Sequence, residues 1–141
     1  MAEQRFEFFE HTADIGAHIY GRTLEGLFRN AAAALFEAFG ALQKSGTGNQ
    51  RSVELKTVSL EDLLHDWLSE LLYEVEANHV LYDEFEFLHL NSQGLKATLH
   101  GETIDFARSQ TSEEIKAVTY HQLRVEELPG GTWRATVIFD V

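Results

Sequence analysis

The chain has 141 residues, 44% of them hydrophobic, and a formal net charge of −12. Its length suits one domain around a single core, so we predict one domain spanning residues 1–141. The negative charge argues against direct binding of RNA or DNA by this chain, because such binding depends on neutralising phosphates with lysine and arginine. A cation or a basic protein partner fits this charge better.

Two further features of the sequence bound the function. The chain contains no cysteine, which excludes disulfides, thiol catalysis and thiolate metal sites. It has no apolar run of the roughly 18 residues that a membrane helix needs, and residues 1–5 lack the apolar segment of a signal peptide. We therefore expect a cytoplasmic protein that makes no contact with a membrane.

A polar loop near the start lies between two predicted strands, at residues 5–10 and 17–21. The loop offers the imidazole of His11 and the carboxylate of Asp14, and Gly16 is expected to let it turn sharply. Loops held by strands are common places for ligands, because their polar groups can converge outside the core. A solvated turn in which Asp14 merely caps the backbone explains the same residues, so the loop gains weight only together with the far end of the chain.

Two stretches repeat apolar residues at helical spacing. Thr23 is the predicted N-cap of the first helix, which we expect to stop at Gly40. Ser59, followed three residues later by Asp62, resembles a capping box ahead of the second helix. Burying each large apolar side chain is worth about 1.5–3 kcal/mol, so the second helix, with the broader stripe, is expected to anchor the core. Its stripe consists of Leu60, Leu63, Leu64, Trp67, Leu68, Leu71, Leu72 and Val75.

Most of the remaining chain predicts strands. Residues 43–50 contain two glycines and a lysine–serine pair without the spacing of a phosphate-binding loop, so we interpret them as a flexible surface connection. The apolar parity changes between Phe87 and Leu88, which indicates either a bulge or a strand buried on both faces. Residues 129–131 form a tight turn before the last strand. The predicted strands cover residues 51–57, 81–90, 95–100, 115–125 and 133–139.

The order of these elements predicts the fold class. The two helices lie in the first half, and strands with hairpin signals dominate the second half. Such an order favours an α+β fold, in which two helices pack on one face of a largely antiparallel or mixed β-sheet as a two-layer sandwich.

The two ends of the chain together could form a cation site. Asp14, the side chain of Asp140 and the terminal carboxylate of Val141 are three oxygen donors of like charge, which hard divalent ions such as calcium, magnesium or manganese prefer. Asp14 and Asp140 would meet if the first and last strands ran the same way in one sheet. The alternative is a frayed terminus, but the apolar lead-in at residues 137–139 indicates that the terminus is docked.

Several segments resemble the archease family. They include residues 10–16 (Glu-His-Thr-Ala-Asp-Ile-Gly), residues 63–73 (Leu-Leu-His-Asp-Trp-Leu-Ser-Glu-Leu-Leu-Tyr), residues 114–121 (Glu-Ile-Lys-Ala-Val-Thr-Tyr-His) and the ending Asp-Val at residues 140–141. They are distributed from end to end of the chain in the expected order, and the loop at residues 43–52 carries no part of the match.

The resemblance implies a non-enzymatic accessory protein for the RtcB-type RNA ligase, which joins tRNA halves after intron removal. It would promote guanylylation of the ligase, aid repeated turnover and broaden nucleotide use. Asp14, Asp140 and Val141 correspond to the family's metal-binding positions, with calcium as the first candidate ion and magnesium or manganese as alternatives. Lys116 falls on a position regarded as functional, and His11 and His121 are further candidates inside the shared motifs.

Two functions from other classes remain open at this point. A small metal-dependent hydrolase could use the cation to activate water, with His11 as the general base. A generic chaperone or adaptor could bind through its acidic surface, with the carboxylates in a structural role. Lys116 also has a simpler explanation as an outward-facing strand residue, since lysines are mostly exposed.

Overall fold

Two α-helices, α1 at Leu24–Phe39 and α2 at Leu60–Tyr73, lie among ten strands in the computed structural model, which describes residues 4–11 and 14–141. At His11 it describes the backbone alone. A π-helical turn at Glu74–Asn78 continues α2. The strands are β1 (Phe6–His11), β2 (Asp14–Gly21), β3 (Gly40–Ala41), β4 (Lys44–Lys56), β5 (Val80–Asn91), β6 (Gly94–Ile104), β7 (Gln110–Thr111), β8 (Ala117–Val118), β9 (Arg124–Glu127) and β10 (Trp133–Asp140).

Both predicted helix starts are confirmed by their caps. The Thr23 hydroxyl accepts a hydrogen bond from the Gly26 N–H at 2.9 Å, and the Ser59 hydroxyl accepts one from the Asp62 N–H at 3.1 Å. Each bond satisfies an N–H group that the first helical turn leaves without a partner. The first helix ends at Gly40, whose φ of 121° lies in a region that other residues rarely adopt.

The strands form two larger sheets and one small ladder. The first sheet has the order β1-β2-β10-β8, with β9 also paired to β10, and the second has the order β4-β6-β5. Every pairing in the described part of the chain is antiparallel. Helix α1 contacts β2 and β5, and α2 contacts β4 and β8, so the helices pack against both larger sheets. The α+β class is confirmed, and the division of the strands between sheets is an additional finding.

Two local predictions were wrong and one was confirmed. Residues 44–50 belong to β4 and pair with β6 instead of forming a flexible connection; Gly46, with a φ of 94°, lies in the irregular part of that pairing. The strand predicted at residues 115–125 is split into β8 and β9 by a turn, in which Leu123 N–H donates to the Tyr120 carbonyl. The bulge at Leu88 is confirmed by a register shift between β5 and β6.

Helix α2 anchors the core through Trp67, whose side chain is fully buried. Its indole N–H donates to the carbonyl of Phe28 at 3.1 Å, which joins the two helices. The ring of Phe85 meets the indole edge-on with centroids 5.2 Å apart, which also joins α2 to β5. No helix in the described ranges is both long and apolar enough to cross a membrane.

A buried carboxylate, Glu74, lies where α2 passes into the π-helical turn and is only 2% exposed. Burial by itself would raise its pKa, but hydrogen bonds from Arg51 and Asn78 outweigh burial and hold the pKa of Glu74 below its ordinary value. The Arg51 guanidinium lies 2.8 Å from the carboxylate, and the Tyr82 hydroxyl donates to it at 3.3 Å. Side chains on β4 and β5 therefore compensate the charge of Glu74. These contacts also tie the C-terminal end of α2 to the second sheet.

This network predicts a stability that depends on pH. A glutamate whose folded-state pKa lies below its ordinary value of 4.5 stabilises the fold above that pH and loses its contribution as the pH falls towards the folded-state pKa. We expect Glu74→Gln to lower the free energy of unfolding at neutral pH by about 1–3 kcal/mol, with a smaller difference in acid. Urea titrations of the wild type and Glu74→Gln, from neutral pH down to acid, measure this difference in the free energy of unfolding. Glu86→Gln, at an exposed position, is the control. A difference that does not become smaller in acid would contradict the lowered pKa of Glu74.

Candidate functional site

The first and last strands of the first sheet end at the same edge. Strands β1 and β10 both pair antiparallel with β2, which lies between them, so they run in the same direction. Phe139 pairs with Ile15, one residue before the end of β10 and one residue after the start of β2. Asp140, which ends β10, and Asp14, which starts β2, therefore lie at one edge of the sheet, although nearly the whole chain separates them in sequence.

Asp140 and Asp14 are the next residues on two neighbouring strands, beyond the last pair of their register. Continuing it by one residue beyond the pair formed by Phe139 and Ile15 places Asp140 opposite Asp14. Directly opposed residues of an antiparallel pair have Cβ atoms about 4.5–5.5 Å apart, and like charges in that position are destabilising. Asp14 is half-buried and Asp140 is exposed, so a cation could reach both carboxylates from solvent.

The C-terminal segment is docked on both sides. Residues 137–139 are fully buried, and the side chain of Val141 packs against the core. The carbonyl of Asp140 accepts a hydrogen bond from the Lys116 N–H at 2.8 Å, and the carbonyl of Ile138 accepts one from the Thr119 N–H at 3.1 Å. These contacts hold the end of β10 between β2 and β8, which contradicts the alternative of a frayed terminus.

Lys116 lies beside Asp140 on the side away from β2. Lys116 directly precedes β8, in which Ala117 pairs with Asp140. The side chain of Lys116 is exposed. Asp14, Asp140 and Lys116 therefore follow one another across three neighbouring chain segments at one edge. The exposed side chain of Lys116 carries an ammonium group, which can contact an anionic group of a partner.

The two histidine candidates differ in their placement. The backbone of His11 pairs with Asp14 across the β1–β2 hairpin, but its side chain and the loop residues 12–13 lie outside the described residues. His121 is exposed in the turn that follows β8, where its N–H donates to the Thr119 hydroxyl at 3.3 Å. Because β8 leads away from Asp140, the register places His121 farther from the aspartates than Ala117.

Gly16 has a different role from the predicted one. It lies inside β2 opposite Phe9, not at a sharp turn, and it is not among the residues with positive φ. A Cβ atom at Gly16 would lie 2.3 Å from the ring of Phe9. The missing side chain therefore makes room for an aromatic ring that covers this part of the strand.

A divalent cation is compatible with the donors at this edge. The side chains of Asp14 and Asp140 are hard oxygen donors, which calcium, magnesium and manganese prefer, and the sequence prediction adds the main-chain carboxylate of Val141. Among the residues described, no cluster of three or more His, Asp or Glu side chains could hold a metal ion. The predicted set contains two such side chains, Asp14 and Asp140, and therefore falls below that number.

A groove next to Asp14 adds carboxylates that sequence reasoning missed. It has a volume of about 350 Å³, and it is lined by Asp14 together with Glu10, Glu37 and Glu113 over a floor that includes Phe9. We call it the Asp14 groove. Glu37 lies on α1 and Glu113 follows β7, and no local pattern in the sequence links either residue to Asp14. The groove makes the surroundings of Asp14 strongly acidic.

Comparison with known sequences gives a match over nearly the whole chain. The family described as the Archease protein family (MTH1598/TM1083) matches residues 6–141. A protein archease from Pyrococcus abyssi is 38% identical over 141 residues, covering 98% of this chain and 99% of that protein. A protein archease from Methanosarcina mazei is 39% identical over 142 residues, with 98% and 97% covered.

Solved structures share the same fold. The solution structure of protein 1598 from Methanobacterium thermoautotrophicum aligns with a TM-score of 0.74 at 31% identity, covering 96% of this chain and 98% of that one. The crystal structure of an archease from Thermotoga maritima, described as a possible chaperone, aligns with a TM-score of 0.71 and covers both chains completely. At 24% identity, the second structure supports the fold alone.

Proposed function

Because the chain belongs to the archease family, we propose that it is a non-enzymatic, cation-binding accessory protein that activates an RtcB-type RNA ligase in tRNA splicing. It promotes guanylylation of the ligase, supports repeated turnover and broadens the use of nucleotides. The observation that carries the proposal is the placement of Asp14 and Asp140 at one sheet edge. The expected compartment is the cytoplasm, where tRNA halves and ligase would meet this chain.

The proposed ion is held by Asp14, Asp140 and the terminal carboxylate of Val141. Calcium is the first candidate, with magnesium or manganese as alternatives, since all three prefer oxygen ligands. The bound ion supplies positive charge at an otherwise acidic edge. Lys116, exposed beside Asp140, adds an ammonium group that can contact a phosphate or carboxylate of the ligase. His11 and His121 stay as further candidates, to be tested after these four.

The charge of the chain supports a protein partner over a nucleic acid. At −12, the chain would repel a phosphate backbone, whereas it would attract the basic surface with which a ligase holds RNA. We therefore expect this protein to act on the ligase without binding the RNA itself.

Ligase guanylylation under multiple turnover tests the proposal. We expect the wild-type chain to stimulate it and Asp14→Asn and Asp140→Asn each to reduce the stimulation by at least about tenfold, because each removes one charged ligand of the ion. Glu86→Gln is the matched control, because Glu86 is exposed on β5 in the other sheet and its replacement changes the net charge equally. The measurement is the rate of ligated product formed per ligase molecule.

Two other results would replace this function with one of its rivals. If stimulation survives in both aspartate variants, the carboxylates are structural and the chain is an adaptor. If the purified protein with manganese hydrolyses phosphoesters, and Asp14→Asn abolishes this activity, the chain is a metal-dependent hydrolase. Either result would contradict a non-enzymatic role that depends on the bound cation.

A further inference from the structure

A second groove lies on the other side of Ser112 and Glu113 from the Asp14 groove. It has a volume of about 560 Å³, and its floor is apolar, formed by Phe39 at the end of α1 and Val75 in the π-helical turn. One wall is Phe106, which is 45% exposed. We call it the Phe106 groove. Its volume lies within the range of about 300–1,000 Å³ that ligand sites occupy.

The rim of the Phe106 groove is acidic and uncompensated. The described residues that line it include Glu76, Glu113, Glu114 and His79, whose ring packs edge-on against Phe106, but neither lysine nor arginine. None of the side-chain hydrogen bonds or ion pairs found among the described residues engages these three carboxylates. By contrast, the neighbouring Glu74 is fully compensated by Arg51 and its other partners. The groove therefore presents three carboxylates over an apolar floor, and their charge is open to an incoming cation.

The walls of the groove are held in place by backbone contacts. The Ser112 N–H donates to the carbonyl of Phe39 at 2.9 Å, and Gly40 pairs with Thr111 in the ladder of β3 and β7. A Cβ atom at Gly40 would lie 2.3 Å from the Gln110 carbonyl, so this close approach needs glycine. A wall that is already ordered lowers the entropic cost of binding.

We propose that the Phe106 groove docks a segment of a partner protein in which an arginine or lysine neighbours an apolar side chain. The apolar side chain packs against Phe106, Phe39 and Val75, while the cationic group lies among the rim carboxylates. Charge complementarity selects this occupant, because a nucleic acid or a second copy of this chain, at −12, would bring more negative charge to an acidic rim.

The position of the groove relates this docking site to the cation edge. Ser112 and Glu113 line both the Phe106 groove and the Asp14 groove, so the two are direct neighbours. A segment seated in the Phe106 groove brings the rest of its protein next to Asp14. Only the identity of that partner as the RNA ligase rests on the proposed function; the chemistry of the groove does not.

Three capped hexapeptides test the chemistry of the groove with this protein alone. One alternates arginine with leucine, one arginine with serine, and one glutamate with leucine. We expect the arginine–leucine peptide to bind most tightly, with amide shifts in NMR spectra centred on Thr111 and Ser112. Glu76→Lys should weaken this binding by about tenfold, and Phe106→Ala should weaken it too. Glu86→Lys, with the same change of charge on exposed β5, should not.

Four outcomes would overturn the proposal. Three of them are equal loss of binding in the Glu76 and Glu86 variants, amide shifts centred elsewhere on the chain, and self-association of the protein through the groove. Absence of saturable binding by the arginine–leucine peptide would overturn it as well. Glu76 is exposed in the π-helical turn, so its replacement leaves the buried core unaltered.

The ligase assay separates this proposal from the proposed function. Glu76→Lys should raise the concentration of this protein needed for half-maximal stimulation, while its affinity for calcium stays at the wild-type value. Asp140→Asn should lower the affinity for calcium and leave the affinity for the arginine–leucine peptide at the wild-type value. If the wild-type chain does not stimulate a ligase at all, the proposed function fails, and the peptide result alone decides whether the groove is a docking site.

Discussion

Replacing Asp140 with asparagine is expected to lower the affinity for calcium by about a hundredfold or more, and Asp14→Asn should have a similar effect. Asparagine keeps the size of the side chain and one of its oxygens but removes the charge that attracts a divalent ion. Loss of outer-shell partners already costs 10–100-fold in metal affinity in other proteins, so the loss of a direct charged ligand should cost at least as much, about a hundredfold. Calorimetric titration with calcium at constant ionic strength measures the effect.

The control for this measurement is Glu86→Gln, which changes the net charge equally at an exposed position of the second sheet. Its calcium affinity should match that of the wild type. Equal weakening in Glu86→Gln and Asp140→Asn would show that the ion responds only to overall charge, and it would refute the site.

The contribution of Val141 can be separated from that of the two aspartates. A glycine added after Val141 moves the terminal carboxylate by one residue while leaving both aspartate side chains and the core contact of Val141 in place. If that carboxylate is the third ligand, calcium affinity should fall by about tenfold. Unchanged affinity would remove Val141 from the ligand set and leave Asp14 and Asp140.

Trp67→Ala is expected to lower the free energy of unfolding by about 3–5 kcal/mol. The indole is fully buried, and it packs edge-on against Phe85 and at a tilt against Phe28 and Phe87. Its removal leaves a cavity between α2 and β5 and takes away the hydrogen bond to the Phe28 carbonyl. Because small domains are stable by only about 5–15 kcal/mol, this loss is a large fraction of the total. Denaturant titration followed by circular dichroism measures it.

Two variants make the Trp67 prediction specific. Trp67→Phe keeps an aromatic ring in the core and should cost less than Trp67→Ala. Trp133→Ala removes the same side chain from a half-buried position on β10 and should also cost less. A loss below about 1 kcal/mol for Trp67→Ala would mean that this part of α2 does not anchor the core, since buried aromatic truncations normally cost several times more.

Short-range patterns were sufficient to predict the helices. The caps at Thr23 and Ser59, the stop at Gly40 and the apolar stripe of α2 depend on residues within a few positions of one another. A capping hydroxyl accepts a hydrogen bond from an N–H two or three residues further along the chain, and one helical face repeats every three or four residues. The bulge at Leu88 could be predicted for the same reason, from a change in local parity.

Long-range pairing explains the errors. Residues 44–50 are polar and rich in glycine, which is typical of a loop, yet they form a strand because β6 supplies backbone partners. The turn between β8 and β9 was missed because its sequence resembles a continuous strand. A strand owes its stability to its neighbour in the sheet, so its own residues predict it less well than a helix.

The candidate site combines both kinds of information. Asp14, Asp140, Val141 and Lys116 could be singled out from the sequence, because they lie in segments that resemble the family. The adjacency of Asp14 and Asp140 depends on the pairing of β2 with β10. The carboxylates of Glu37 and Glu113 beside Asp14, and the whole Phe106 groove, were not predictable. They come from segments far apart in sequence, which are brought together by the tertiary packing of α1, the π-helical turn and the segments on either side of β7.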